Sequence, residues 1–396
     1  MTAPGGASRG QLLAFAALSA SYFAHIGFFN PYLPLWLKDQ GLPIFTISLL
    51  AAVQSFTRVF APYAWGALSD HTGERVRLLR ISAAIALAVS FGLWFQGGAW
   101  WIALVLLLLF THTSSMMGLT EAAMAHLVAG DWGRYGRIRL WGSAGFLVTV
   151  FIAGEWFERF GMRHFPAWAG VTLALVLLSA WRLPDMREPP AASHEARPPI
   201  GQVLRQPAVR WFLASLCLHV MAHFGVYGFL SLYLDSLGYS KAMIGLLWAM
   251  SVVGEIAWFF CQGRFISRMP MARWLVVCGF VGALRMAITG AGGQWLWAIA
   301  LAQVLHALSF AAHHTSCIAM VTHFFPGRLR GRGQALFTVV GYGIGGVAGV
   351  LLGGAIASRF GFDAMFGAAT LLCVLATGCA WQLERIERRS ASPALA

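Results

Sequence analysis

Seven ionisable side chains stand inside, or at the ends of, long apolar stretches of this sequence: Arg58, Glu121, Arg139, Glu255, Arg285, His306 and His313. A charge in hydrocarbon is costly, so a side chain of this kind persists there only with a partner or a task. Isolated, such a group gives up its charge; an acid beside a base keeps it and can pass a proton. Residues 306 and 313 are seven apart, two helical turns, which puts both imidazoles on one helix face. Imidazole titrates near neutral pH. The chemistry open to this set is proton exchange linked to holding a polar or charged solute.

The elements that position these groups follow from composition. The chain has 396 residues, 58% of them hydrophobic and 11% charged. A soluble domain carries roughly a quarter charged residues. The polar surface is missing, so the solvent for most of the chain is lipid. A helix needs about 20 apolar residues to cross a bilayer. Apolar runs between charged or Gly/Pro-rich breaks place helices at 11–37, 44–69, 78–97, 100–128, 138–158 and 167–183, then at 208–234, 242–266, 272–290, 294–324, 333–358 and 363–382. The first run is too long for a cleaved signal core and carries Asn30, Pro31 and Pro34, so it reads as a retained helix with an interruption. The fold class expected is an all-α membrane protein of twelve transmembrane helices in two pseudo-symmetric six-helix bundles.

The bundles are expected at 1–183 and 208–396. Between them, residues 184–207 are polar and rich in proline (Pro184, Pro189, Pro190, Pro198, Pro199, Pro207), a composition that cannot bury a core and reads as a cytoplasmic linker. The halves echo one another: the stretch from Gly142 to Gly161 ends in ERFG and that from Gly341 to Gly361 ends in SRFG. The net charge of +13 is topogenic, and a nucleic-acid partner is not expected. With both termini in the cytoplasm, 21 of the 28 Lys and Arg residues fall on that side and 5 on the other, the bias that orients bacterial inner-membrane proteins. The six cysteines all fall inside spans without a CxxC pair, so neither a disulfide nor a metal site is expected. His313 and His314 are adjacent, point to different faces and make a poor metal clip, while His25, His112, His219 and His223 read as core histidines.

Between the second and third spans the sequence runs Gly66-Ala-Leu-Ser-Asp70-His-Thr-Gly73-Glu-Arg75-Val-Arg77. Gly66 is small enough for close helix approach, Asp70 can cap or pair, and Gly73 supplies a turn. This G-x-x-x-D-x-x-G-x-R-x-R spacing resembles the loop signature of the major facilitator superfamily, in which it gates the cytoplasmic side. The stretches YGRIRLWGSAGF, GEIAWFF, ALRM and QVLHALSFAAHH resemble the phenylpropionate permease family, a branch close to lactose permease. The resemblance implies a substrate pair in Glu121 and Arg139, eighteen residues apart, and coupling residues in Glu255, Arg285 and His306. Lactose permease carries an acid where this chain has Ser309 and a lysine where it has Gln303, so its proton route does not transfer whole.

On these readings Glu255 carries the proton with Arg285 as charge partner, and His306 or His313 relays. Asn30 and Trp141 are further candidates to line the substrate cavity, and Arg58 is an intramembrane charge of open role. No cofactor is expected. The partners expected are a small solute, protons and the bilayer, with the chain a monomer working by alternating access. An aromatic acid such as 3-phenylpropionate suits arginines and rings; a sugar or nucleoside stays open. Proton-driven efflux uses the same fold, but the Gly-Pro motif of such antiporters is absent from the fifth span. A membrane enzyme would need a nucleophile elbow, P-loop or HExxH, and none occurs. A receptor on the same scaffold would have lost the buried charges.

Overall fold

The computed structural model describes residues 8–95, 97–128, 132–186 and 200–391. Most of the expected linker, with Arg187, Arg197 and four of its prolines, lies outside the described residues, as does the side chain of Arg328. Among the described residues every regular element is helical: α1 Arg9–Asp39, α2 Ile44–Thr72, α3 Arg75–Ser90, α4 Gly98–Val128, α5 Trp132–Phe160, α6 Phe165–Trp181, a short α7 Gly201–Arg205, α8 Pro207–Ser236, α9 Lys241–Cys261, α10 Met271–Ala291, α11 Leu296–Val304, α12 His313–Phe324, α13 Arg330–Phe337 and α14 Gly346–Ala391. Among the described residues, eleven helical stretches are long and apolar enough to cross a bilayer. The last of them is two spans, because Gly361 at φ 85°, ψ 172° ends one helix and starts the next. The twelve expected spans are all there.

Two expectations about α1 and α3 need adjusting. Pro31 and Pro34 do not interrupt α1, which runs unbroken to Asp39; within a span, neighbouring helices can satisfy the carbonyls that proline frees. The first helix starts on a capping box, Ser8 and Gln11 bonding each other's backbone N–H. Helix α3 begins three residues before the apolar run expected for it, carrying Arg75 and Arg77 in its first turn. Two π-helical segments, Ala307–Ala312 and Thr338–Gly345, join α11 to α12 and α13 to α14. Such widened turns are rare and concentrate at functional sites.

The described residues fall into two compact units, one within Met1–Leu42, Thr57–Ser193 and Ser240–Ala249, the other within Pro43–Phe56, His194–Tyr239 and Met250–Ala396. Within the first, α1 lies so close to α5 that a methyl at Gly145 would run into the Ala20 carbonyl. Within the second, α8 lies so close to α14 that a methyl at Gly349 would run into the Met221 carbonyl. Small residues at a crossing let membrane helices gain dispersion contact where no hydrophobic force drives them together. The internal echo extends to backbone angles: Gly161 (φ 81°, ψ 166°) closes α5 as Gly361 (φ 85°, ψ 172°) closes the eleventh span. It extends to charge as well. Arg80 of α3 bonds Asp185 at 2.6 Å and the Leu183 carbonyl at 2.7 Å, past the end of α6. Arg273 of α10 bonds the buried Glu384 at 2.7 Å, at the corresponding end of α14.

Residues 240–249 are tied into the first unit by polar contacts. The Tyr32 hydroxyl donates to the carbonyls of Val150 (3.0 Å) and Lys241 (3.1 Å). The Glu158 carboxylate accepts the Lys241 N–H at 2.6 Å. Negative charge suits that place at the start of α9.

Substituting Gly349→Val should cost about 1–3 kcal/mol by forcing α8 and α14 apart, read as a lowered unfolding midpoint in detergent. Gly378→Ala, on α14 with nothing within 4 Å of the added methyl, should leave the midpoint unchanged.

Candidate functional site

In the second unit Glu255 of α9 and His306, the residue that leads into the π segment after α11, meet at 2.7 Å through Oε1 and Nε2. The His306 side chain is 4% exposed and that of Glu255 23%. Arg285 of α10, 1% exposed, interacts with Glu255 through charge, while its hydrogen bonds go elsewhere. Its Nε donates to the Ala302 carbonyl at 2.9 Å and its Nη2 to the Gln303 side-chain oxygen at 3.4 Å. The backbone and the Gln303 amide of α11 take two of its three guanidinium nitrogens, and His306, three residues after Gln303, meets the carboxylate. Arg285 Nη1 has no hydrogen-bond partner among the described residues.

Gln303, where this chain departs from lactose permease, completes the cluster. Its oxygen accepts from Arg285 and, at 2.7 Å, from Ser251, and its own NH₂ stays unpartnered among the described residues. Its spacing from His306, three residues, marks the same helix face.

His306 and His313 both turn toward α8, although the π segment between them breaks the α-helical spacing from which a shared face is expected. His313 stacks on His219 with centroids 3.8 Å apart, and His306 lies 6.4 Å from His223. His313 is not brought to a carboxylate among the described residues; its neighbours are His219 and the Cys317 sulfur at 3.7 Å. The column His313, His219, His223, His306 is a feature that sequence reasoning missed. The available signal was spacing: 219 and 223 are one turn apart on α8, opposite 306 and 313.

In the first unit Arg139 of α5 pairs with Glu121 of α4 at 3.3 Å, as its eighteen-residue separation suggests. The Tyr135 hydroxyl donates to the other oxygen of Glu121, and the Arg139 guanidinium lies 4.6 Å over the Phe23 ring. The charges of Arg58, Arg139 and Glu121 all act on the buried Tyr22 hydroxyl, which donates to the Thr113 carbonyl at 3.0 Å. Arg58 thus acts by charge on the same hydroxyl as that pair. Asn30 is half-buried on α1 and Trp141 is 56% exposed on α5, where it makes no ring contact among the described residues.

The loop after α2 matches its motif in part. Gly73 turns at φ 67° with its N–H on the Ser69 carbonyl at 2.9 Å, Asp70 pairs with Arg75 at 3.7 Å, and Arg77 pairs with Glu74 at 2.7 Å. Gly66 departs from expectation: a methyl there would meet nothing within 4 Å, so this glycine faces open space and mediates no close crossing here.

A half-buried acid with a buried imidazole and guanidinium within one helical cluster, each set by hydrogen bonds, can bind an anion and exchange a proton. Residues 16–368 match the family model described as "MFS_1 like family". The chain belongs to this family. It is therefore a multi-pass membrane transporter of the major facilitator type and not an enzyme. Among its relatives, a probable 3-phenylpropionic acid transporter of Escherichia coli (strain K12) is 27% identical over 76% of this chain and 79% of that protein. The maltose permease of Geobacillus stearothermophilus is 26% identical over 87% of each. A crystal structure of a mutant of the nucleoside transporter NupG superposes with a TM-score of 0.84 at 16% identity, covering 94% of this chain and 99% of that one. That likeness bears on the fold of this MFS_1-like chain alone.

A double-mutant cycle on Glu255→Gln and His306→Ala should return a coupling of about 1–3 kcal/mol in unfolding free energy. A coupling near zero would mean that the 2.7 Å contact carries no energy.

Proposed function

We propose that the protein is a proton-coupled symporter that takes a small aromatic carboxylate, of the 3-phenylpropionate kind, into the cell by alternating access. The observation that carries this reading is the Glu255–His306 pair, half-buried at its acid and buried at its imidazole, beside Arg285, whose Nη1 donor is unmatched among the described residues. A carboxylate is the natural acceptor for such a donor, since guanidinium binds it through charge-assisted hydrogen bonds. An anion entering beside Arg285 raises the proton affinity of the neighbouring Glu255–His306 pair, so anion and proton load together and cross as a neutral set. Lipid penalises net charge, and the coupling follows from that penalty. Support from kinship comes from the relative described as a probable 3-phenylpropionic acid transporter.

The remaining roles are assigned on the same basis. Glu255 holds the proton, His306 shares it, and His313 tunes the far end of the imidazole column. Glu121 and Arg139, with Asn30 on α1 and Trp141 on α5, take substrate hydrogen bonds in the first unit, and Arg58 biases that cluster. Asp70, Gly73, Arg75 and Arg77, with Gly66 before them, act as the cytoplasmic gate. The basic-residue bias supports an inner-membrane chain with both termini in the cytoplasm, working as a monomer with halves 1–183 and 208–396. A second reading, sugar symport, is favoured by the Tyr135 hydroxyl on Glu121 and by the maltose permease relative.

Proteoliposomes should accumulate labelled 3-phenylpropionate under an inward proton gradient. Glu255→Gln should abolish that accumulation while preserving exchange, and Arg285→Lys should weaken binding at least about tenfold, because a lysine cannot reproduce the fork. Uptake of maltose in place of the aromatic acid would move the assignment to sugars. Gradient-driven accumulation in Glu255→Gln would remove Glu255 as the carrier.

A further inference from the structure

Near the Glu255–His306 pair, two imidazoles are set as a metal site sets them. His219 Nε2 donates to the Ser309 carbonyl at 2.7 Å, and His223 Nδ1 donates to the His219 carbonyl at 3.0 Å. A carbonyl only accepts, so each contact fixes the tautomer. The lone pairs are left on His219 Nδ1 and His223 Nε2. Both atoms are buried without a hydrogen-bond partner among the described residues, and both residues are 2% exposed. Histidines that ligate metals commonly donate their other ring N–H to a carbonyl or carboxylate in this way.

A third ligand lies close to these two imidazoles. One nitrogen of each imidazole and the Cys373 sulfur all lie within 4.8 Å of one another. The residue opposite is Gly282 of α10, and a methyl there would sit 3.7 Å from His219 Nδ1 and 3.2 Å from the Cys373 sulfur. A side chain at that position would fill the space, and glycine keeps it open. The ligands come from α8 and α14 and the floor from α10, which is why linear spacing led to the expectation of no metal.

We propose that His219, His223 and Cys373 form a buried binding site for a thiophilic d¹⁰ cation, Cu(I) in preference to Zn²⁺. Two imidazoles and a thiolate suit either ion. Charge decides between them. The cysteine binds as thiolate, its proton leaving to solvent as the metal arrives, so Cu(I) adds no net charge to the membrane interior whereas Zn²⁺ adds one. The Arg285 guanidinium already acts on both His219 and Cys373, and its positive charge opposes a second cationic centre. The site pins α8 to α14, the crossing that Gly349 makes close.

The test is an anaerobic competition for Cu(I) between a chromophoric chelator and the purified full chain in detergent, with a non-histidine tag. The wild type should take about one Cu(I) per chain, and Cys373→Ser and His223→Ala should each weaken binding at least about 100-fold. Cys317→Ser, which removes a buried thiol outside the set, should match the wild type. X-ray absorption on the loaded wild type should show one sulfur and two nitrogen scatterers, a readout that needs no variant to fold. Failure of the wild type to compete, unchanged binding in Cys373→Ser, or tighter binding of Zn²⁺ than of Cu(I) would overturn the proposal.

Discussion

Lipid cannot solvate an ion, and the rest of this structure is arranged around that constraint. Charges at membrane depth are met by other protein groups: Glu255 by His306, Arg285 by the Ala302 carbonyl and Gln303, Arg139 by Glu121 and the Phe23 ring. Removing one member of such a set strands the other, at a cost well above the value of an exposed ion pair. The same constraint makes the sets useful. On the proposed function, an anion placed beside the Glu255–His306 contact changes the proton affinity of that pair.

Close helix packing supplies the positions. The crossings at Gly145 with Ala20 and at Gly349 with Met221 hold corresponding helices of the two halves at backbone contact, and Gly161 and Gly361 close the corresponding spans with the same positive-φ turn. The arginine clamps at Arg80 and Arg273 repeat at the corresponding helix ends. These correspondences give the ERFG and SRFG echo a physical meaning: a backbone plan used twice. The π segment at Ala307–Ala312 interrupts that plan between His306 and His313, next to the carboxylate–imidazole pair.

The parts of the fold set by composition could be read directly. Runs of apolar residues gave the spans because the bilayer has one thickness, and Glu255, His306, Glu121 and Arg139 stood out because a charge in a span has few innocent explanations. Partner choice was less legible. Sequence reasoning pairs Glu255 with Arg285, but which of two bases an acid meets depends on the rotation of α9, α10 and α11 about their axes, which no local pattern encodes. His219 and His223 went unassigned because a neutral histidine in a span looks like core until the facing helix is known. Gly66 matched a motif by spacing, yet its surroundings here are open, since a motif specifies residue types and not the conformation in which they meet.

The central claim is that the Glu255–His306 pair exchanges a proton inside the membrane. Infrared pH-difference spectroscopy on the reconstituted protein tests it without reference to any substrate. The account predicts a protonated-carboxyl band that grows as pH falls, is missing from Glu255→Gln and shifts in His306→Ala. The same band, unchanged in Glu255→Gln, would place the titrating group elsewhere and contradict the account.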